Sequence, residues 1–481
     1  MTQTGIAELQ DVLWKAAAKL RGSMDASQYR DFVLGLVFLK YASSAFPGIP
    51  ETARWPAVVS GPGPIGARID AAMAAVMRAE PSLDGALPTI FSADNVDQRR
   101  LADLAGVIGD ARFTGRDRES ARDLLGEVYE YFLETFARAE GRRGGEFYTP
   151  KSVVKLLVDV LEPYKGRVYD PCCGSGGMFV QAEKFVLSRR GRSGDIAVHG
   201  QEANARTWRL ARMNLAIHGI AGDLSARHAD TFYEDAHPGL LADHVLANPP
   251  FNLSDWYRDA GDPRWRFGVP PAGNANFAWM QHIVSKLGPR GAAGVVMANG
   301  SMSSRQSGES EIRAAMVEAD LVSCVVALPP QLFRTTPIPA CLWFLSKDKG
   351  PDGGRDDRRG KVLFVDARSM GTLLDRTERV LTGDDIARIA GTYHSWRGGP
   401  SASRPYADEL GFCRSAALGE IRDHGHVLTP GRYAGAAETA DEESEPVRDR
   451  VERLTKELLT RFDESARLEQ FVRTQLERLD G

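Results

Sequence analysis

The sequence predicts an α/β protein built on a doubly wound sheet, with a helical block before it and a helical tail after it. Three observations carry this. Between about residue 151 and residue 350, short apolar strands alternate with amphipathic helices, the order that produces a mostly parallel sheet covered on both faces. A glycine-rich stretch, Asp170 to Phe179 (DPCCGSGGMF), falls where one strand ends and a helix starts. A second strand, Asp243 to Ala247, runs into Asn248-Pro249-Pro250-Phe251. Two consecutive prolines cannot continue a central strand, so they fix a stiff exit at its C-terminal end. Open sheets bind ligands beyond the C-terminal ends of their strands, and both stretches can therefore face one crevice.

Residues 1–140 read as a helical block. Ile6, Leu9, Val12, Leu13, Ala16 and Leu20 recur at helical spacing. Tyr29 to Phe46 is a strongly apolar helix that calls for burial, Ile69 to Glu80 another helix, and about Ser120 to Ala139 a third with Leu124, Val128, Tyr131, Phe132 and Phe136 on one face. The block shows no catalytic constellation. It reads equally as a structural cap and as a platform for DNA or another subunit.

Residues 141–370 hold the sheet. Thr149 reads as the N-cap of a helix over Val153–Leu161, with Pro150 at its first position. Val168–Asp170 is a strand, Gly177–Ser188 a helix, Ile196–Gln201 a strand and Arg206–His218 a helix. After Asn248-Pro249-Pro250-Phe251, Trp256, Tyr257, Arg258, Arg264, Trp265, Arg266 and Phe267 interleave cations with rings. That pattern suits a nucleic-acid edge, where arginines meet phosphates and rings stack on bases, and it equally suits a surface loop with core anchors. A helix over Phe277–Leu287 and strands at Ala292–Met297, Leu321–Leu328, Ala340–Leu345 and, as a last edge strand, Lys361–Asp366 complete the region. Residues 371–435 read as a small C-terminal subdomain, with helix around Leu381–Trp396 and an irregular stretch at Cys413–Tyr433. Residues 436–481 begin with an acidic linker and end in a long amphipathic helix whose apolar stripe includes Val447, Val451, Leu454, Leu458 and Phe462. Such a helix packs on its own domain or docks to a partner helix.

Composition narrows the function. The 481 residues carry a net charge of −4, with 43% hydrophobic and 26% charged residues, which is ordinary for a soluble globular chain. DNA contact must then come from a local basic surface or from a partner. Five cysteines without a regular framework suit reduced thiols in the cytoplasm and leave no zinc set. No apolar run reaches the roughly 18 residues of a membrane span, so no membrane partner is expected, and no metal.

The glycines at 174, 176 and 177 allow close approach of a ligand to the backbone, or simply make a tight turn. No Lys follows them as a nucleotide phosphate loop requires, and the acidic Asp170 at the strand end suits a cationic or polyhydroxyl ligand. Glu202 follows the turn by about 25 residues, near where dinucleotide folds place an acid on a ribose diol; alone it would read as a solvated strand-end residue. Asp230 falls at another strand end, able to accept from an adenine amino group or to serve a turn. Glu146-Phe147-Tyr148-Thr149-Pro150-Lys151 supplies an aromatic pair and helix-terminal N–H groups that can hold a carboxylate.

Taken together, FYTP, DPCCGSGG, GQE and NPPF in this order, between a helical N-terminal block and a helical tail, resemble the modification subunits of type I restriction–modification systems, which are S-adenosylmethionine-dependent, N6-adenine-specific DNA methyltransferases. The resemblance covers nearly the whole chain. It implies a Rossmann-like, seven-stranded methyltransferase sheet. It implies that Glu146, Phe147, Tyr148, Thr149, Pro150, Lys151, Ser175, Gly176, Gly177 and Glu202 bind S-adenosylmethionine, with Glu202 on the ribose, Asp170 near the methionine amino group and Asp230 near the adenine. Asn248, Pro249, Pro250 and Phe251 become the catalytic motif. The second cysteine, Cys173, departs from the family pattern and is expected to affect packing only.

The chemistry fits those residues. Adenine N6 is a poor nucleophile because its lone pair is delocalised into the ring. The Asn248 side-chain oxygen and the Pro249 carbonyl can accept both N6 hydrogens, localising the lone pair for in-line attack on a methyl group. The base must leave the stack to reach them, and Phe251 can stack on it. No nucleophilic cysteine is needed. The chain carries no sequence-reading domain, nucleotide-driven motor or nuclease cluster. The resemblance supplies these through a specificity subunit, with two modification subunits for each, and a restriction subunit acting on double-stranded DNA. The chain alone is then expected to bind cofactor without methylating efficiently. Methylation of a protein glutamine or an RNA guanine, and a non-catalytic assembly role, are the alternatives.

Overall fold

The computed structural model describes residues 26–110, 126–136, 149–189, 191–306, 308–333, 339–352, 354–376 and 378–435, with a few positions between 455 and 467. The chain divides into two compact units, Met1–Gly435 and Ala436–Gly481. The helix expected over Ile6–Leu20, most of the tail with its acidic linker, and Glu146, Phe147 and Tyr148 lie outside the described residues; in the second unit Thr455, Lys456, Leu459, Thr460, Phe462 and Arg467 are helical.

The first unit opens with helices α1 (Ala26–Ala45), α2 (Trp55–Ser60), α3 (Ile65–Ala79), α4 (Gln98–Asp110) and α5 (126–136). The apolar helix foreseen at Tyr29–Phe46 is α1, and its run from Phe32 to Leu39 lies almost wholly inside a core built with α3, α4 and α5. Leu210, Met213 and Ile217 complete that core, so the helical block shares its interior with a helix of the sheet region. Gly126 is where α5 crosses that helix: a Cβ there would stand 2.7 Å from the His218 ring. Glu130 of α5 ties the contact with charge, pairing with Lys184 at 2.6 Å, His218 at 3.1 Å and Lys151 at 3.3 Å. Despite its burial, these partners hold the Glu130 carboxyl down at about 2.

The sheet alternates as foreseen: α6 (Lys151–Leu161), β1 (Gly166–Asp170), α7 (Gly177–Ser188), β2 (Ile196–Gly200), α8 (Ala205–His218), β3 (Gly222–Asp223), β4 (Ala242–Ala247), α9 (Asn276–Lys286), β5 (Leu287–Ala298), α10 (Glu309–Glu318), β6 (Val322–Ala327), β7 (Ala340–Ser346) and β8 (Lys361–Asp366). A short hairpin of β9 (Thr372–Leu373) and β10 (Arg379–Val380) follows, then α11 (Gly383–Arg397), β11 (Cys413–Ala417), α12 (Leu418–Asp423) and α13 (Pro430–Ala434). The strand order is β11-β8-β6-β7-β5-β4-β1-β2-β3. The seven strands read from the sequence are β1, β2, β4, β5, β6, β7 and β8, with β7 inserted antiparallel between β5 and β6. Two more, β3 and β11, extend the sheet to nine. Lys361–Asp366 is not the edge: β8 pairs with β6 on one side and with β11 on the other, and the edge lies within the stretch expected to be irregular.

Alternate side chains divide between two cores, as a sheet covered on both faces requires. Val168, Leu246, Val296 and Val326 face α6, α7, α8 and α11, whereas Tyr169, Val245, Ala247, Val295 and Val325 face α9, α10 and α12. Register then sets the functional rim. Asp170 pairs with Gly200, and Tyr169 lies level with both His199 and Val245. The exits of β1, β2 and β4 therefore emerge side by side, which brings Asp170, Gln201-Glu202 and Asn248 to one edge although 78 positions separate the first from the last.

Candidate active site

A cavity of about 340 Å³ opens at that edge, lined among the described residues by Pro171, Cys172, Gly174, Glu202, Ala203, Thr207, Asp230, Thr231, Phe232, Asn248, Pro250, Leu253 and Trp279. The glycine turn, the acid after β2, Asp230 and the strand exit of β4 thus meet in one place. Glu202 and Asp230 are the charged side chains among these residues.

Asn248 is the sharpest feature. Its Nδ2 donates to the Thr149 hydroxyl at 2.8 Å, a bond that anchors one side of the amide. The Oδ1 atom is buried and has no hydrogen-bond partner among the described residues. A buried acceptor left unsatisfied costs about 1–3 kcal/mol, so the site is arranged to receive a donor. Thr149 does not cap α6, as the sequence suggested. Pro150 occupies the cap position without a side-chain bond, and its carbonyl accepts from Val153 and Val154. The hydroxyl is left to serve Asn248.

The glycine turn also works differently from the sequence reading. Gly174 has φ +55, where only glycine sits without strain, and its N–H does not point at open space: it donates to Glu202 Oε2 at 3.0 Å. Asn204 N donates to Glu202 Oε1 at 2.7 Å. Both carboxylate oxygens are oriented by these bonds. Ser175, Gly176 and Gly177 pass behind this contact, outside the lining residues. The Ser175 carbonyl accepts from Asn214, and Gly176 caps α7.

Asp170 is not among the lining residues and is almost fully buried, its Oδ1 accepting from Cys172 N at 2.9 Å. Burial outweighs that bond and raises its carboxyl to about 7. Burial and the neighbouring Asp170 push both adjacent thiols well up, so Cys172 and Cys173 stay protonated and are no nucleophiles. Cys173 sits in the core as expected, whereas Cys172 reaches the cavity wall. Asp230 Oδ1 accepts from Phe232 N at 2.8 Å, so the residue serves both its turn and the cavity. It follows a loop rather than a strand. Phe251 packs beside Phe333 with ring centroids 6.1 Å apart.

The Lys151 ammonium is turned to Glu130 and Glu134, at 3.3 and 3.6 Å, and is not among the cavity-lining residues. The cation–aromatic stretch 256–267 resolves largely into anchors. Trp256 and Trp265 are buried against Phe232 and Trp279. Arg264 donates to the Thr231 and Phe232 carbonyls at 2.8 and 2.9 Å and to His282 Nδ1 at 3.1 Å. Only Tyr257, Arg258 and Arg266 of this stretch are exposed and basic or aromatic. Phe232 and Trp279 were not foreseen as site residues. Phe232 stood two places after Asp230, and Trp279 had no distinguishing signal inside an apolar helix.

The N-6 DNA Methylase family matches residues 120–442, and the HsdM N-terminal domain matches residues 9–48. The chain is 46% identical over 416 residues, 85% of its length and 91% of the relative's, to the type I restriction enzyme HindI methylase subunit of Haemophilus influenzae. It is 35% identical, over 98% of its length and 91% of the relative's, to the MjaIX methylase subunit of Methanocaldococcus jannaschii. Its fold resembles the type I restriction–modification methyltransferase subunit of Streptococcus thermophilus, with a TM-score of 0.74 at 24% identity, covering 89% of this chain and 99% of that one.

Proposed function

The chain belongs to the type I restriction–modification methylase subunits of the N-6 DNA methylase family, and on that premise we propose that this adenine-specific DNA methyltransferase uses S-adenosylmethionine to methylate N6 of a base swung out of duplex DNA. The observation that carries the reading is the buried Asn248 Oδ1, without a partner among the described residues, beside the 340 Å³ cavity.

The donor set fits S-adenosylmethionine. No basic side chain lines the cavity among the described residues, which disfavours a phosphate-bearing ligand. Glu202, already oriented by two backbone N–H groups, holds the ribose hydroxyls. Asp230 would accept from the adenine amino group, Phe232 and Trp279 would offer flat apolar surface to the purine, and Asp170 would favour the cationic methionine amino group. Ser175, Gly176 and Gly177 shape the turn that makes room for it, and Glu146, Phe147 and Tyr148 complete the site. Lys151 is left out. When bound, S-adenosylmethionine supplies an electrophilic methyl carbon on a sulfonium.

The chain's own residues prepare the other reactant. Thr149 holds the Asn248 amide so that Oδ1 faces the incoming amine. Asn248 Oδ1 and the Pro249 carbonyl then accept the two N6 hydrogens, drawing the nitrogen toward tetrahedral geometry with its lone pair exposed. Pro250 stiffens the strand exit, and Phe251 stacks on the flipped base. Because the acceptors stand in place before the base arrives, no reorganisation is needed as charge develops.

Target choice lies with a separate specificity subunit carrying two copies of this chain, joined by a restriction subunit for cleavage, all in the cytoplasm. We retain the division into a helical block (1–140), methyltransferase core (141–370), small subdomain (371–435) and docking tail (436–481). The test is transfer of a tritiated methyl group to duplex DNA, with and without a co-expressed specificity subunit. Label recovered as N6-methyladenine only with the partner is the expected result. Label in protein glutamine or RNA guanine, or none in either case, would refute the proposal.

A further inference from the structure

Away from the methyl-transfer chemistry, three side chains converge at the far edge of the parallel sheet. His199 on β2 lies in register with Asp223 on β3, and His237 packs beside His199 with ring centroids 5.7 Å apart. The His237 Nε2 atom stands 2.9 Å from the Gly200 carbonyl. A carbonyl only accepts, so Nε2 carries the proton and Nδ1 keeps its lone pair. That Nδ1 lies 3.8 Å from Asp223 Oδ2. His199 Nδ1 lies 3.9 Å from the same oxygen, and it is buried without a hydrogen-bond partner among the described residues.

The three atoms all fall within 4.8 Å of one another. These spacings are too long for hydrogen bonds, yet one point can stand roughly 2.5 Å from all three, against about 2.0–2.2 Å for zinc bonded to imidazole nitrogen or carboxylate oxygen. Closing that gap needs a shift of a few tenths of an ångström, which the 60% exposed Asp223 side chain can make. The Gly200 carbonyl behind His237 is the kind of outer partner that orients a metal-bound histidine.

We propose that His199, Asp223 and His237 form a binding site for a borderline divalent transition-metal ion, zinc first, with water completing the coordination. The ion staples β2 and β3 to the 229–237 loop. That loop is otherwise held by Gln201, which donates to the Ala229 and Glu234 carbonyls, and by Lys286, which donates to Asp235 and to the His237 carbonyl. Asp230, Thr231 and Phe232 on the same loop line the cavity, so the ion stiffens one wall of the site without touching the reactants.

The test uses the full chain stripped with a chelator and titrated with Co²⁺, followed by its visible d–d bands, then displaced with Zn²⁺. Expected are one ion per chain, nitrogen-ligand bands, and a melting temperature raised by several degrees at saturating Zn²⁺. Asp223→Asn, which keeps an oxygen for the Ser225 N–H now bonded to Asp223 Oδ1, and His199→Gln should each weaken uptake at least tenfold while melting like the wild type in chelator. Should His199→Gln fail to fold, the exposed Asp223→Asn decides alone. No stoichiometric uptake, meaning a bound water only, or uptake unchanged in Asp223→Asn, overturns the proposal.

Discussion

Thr149→Val is the perturbation that isolates how the catalytic amide is aimed. Valine keeps the branching and nearly the volume of threonine, so the change is confined to the hydroxyl that accepts from Asn248 Nδ2 at 2.8 Å. Without it Nδ2 is left unpaired in a half-buried setting, and the amide loses the bond that anchors it, so that it is free to turn and present its NH₂ donors to an incoming amine. A neutral hydrogen bond contributes about 1 kcal/mol net, and a buried group left unpaired costs about 1–3 kcal/mol. The transfer rate should therefore fall about 5- to 150-fold. The assay is single-turnover methyl transfer by the complex with the specificity subunit, alongside equilibrium binding of S-adenosylmethionine. The account predicts a loss in the chemical rate, cofactor affinity within about twofold of wild type, and recovery in Thr149→Ser. A loss of affinity with the rate intact would make Thr149 a direct cofactor ligand, as its FYTP motif suggested, and would refute the positioning argument; so would an unchanged rate.

Three further predictions follow from the site's electrostatics. Glu202→Gln replaces one acceptor with an NH₂ group facing a backbone N–H of Gly174 or Asn204. It should weaken S-adenosylmethionine binding about 10- to 100-fold by calorimetry; an unchanged Kd would remove Glu202 from the cofactor site. The Asp170 carboxyl is raised to about 7, above the roughly 3.9 of an unfolded chain. Between those values the folded chain binds more protons, so this group makes stability fall as pH climbs from about 4 to about 7. Asp170→Asn should accordingly melt higher than wild type at pH 8 in the absence of ligand, with the difference shrinking toward pH 4; a difference that grows on acidification would show the carboxyl is not held protonated by burial. Lys151→Ala should leave cofactor affinity within twofold and lower stability by less than about 1 kcal/mol, since its half-exposed ion pairs are screened. A large affinity loss would return Lys151 to the site.

The sheet was legible because its strands are buried on both faces and separated by helices of clear amphipathic spacing. The rim was legible because Asp170 and Asn248 close their strands with residues that cannot continue them. The β11 strand was not, since Cys-Arg-Ser-Ala-Ala has little strand preference and becomes a strand by pairing with β8; tertiary context overrides propensity there. Interleaved rings and cations do not say which way they point, and Trp256 and Trp265 turned inward. The Lys151 ion pairs were not legible because the partners sit on another helix, at Glu130 and Glu134. The Thr149–Asn248 bond spans 99 positions, and the glycine turn's bond to Glu202 spans 28. The first spacing carries no local signal, and the second pointed to an acid for a ligand without showing its bond to the turn, so only the fold reveals that one motif orients the other.

The central claim is that Asn248 Oδ1 waits for the target amine rather than for the cofactor. Measuring S-adenosylmethionine affinity and single-turnover transfer side by side on Asn248→Ala tests it directly. The account predicts a dissociation constant within about threefold of wild type and transfer lost by about 10³-fold or more, as for removal of a preorganised acceptor at a reacting centre. A weakening of cofactor binding large enough to explain the lost transfer would contradict it.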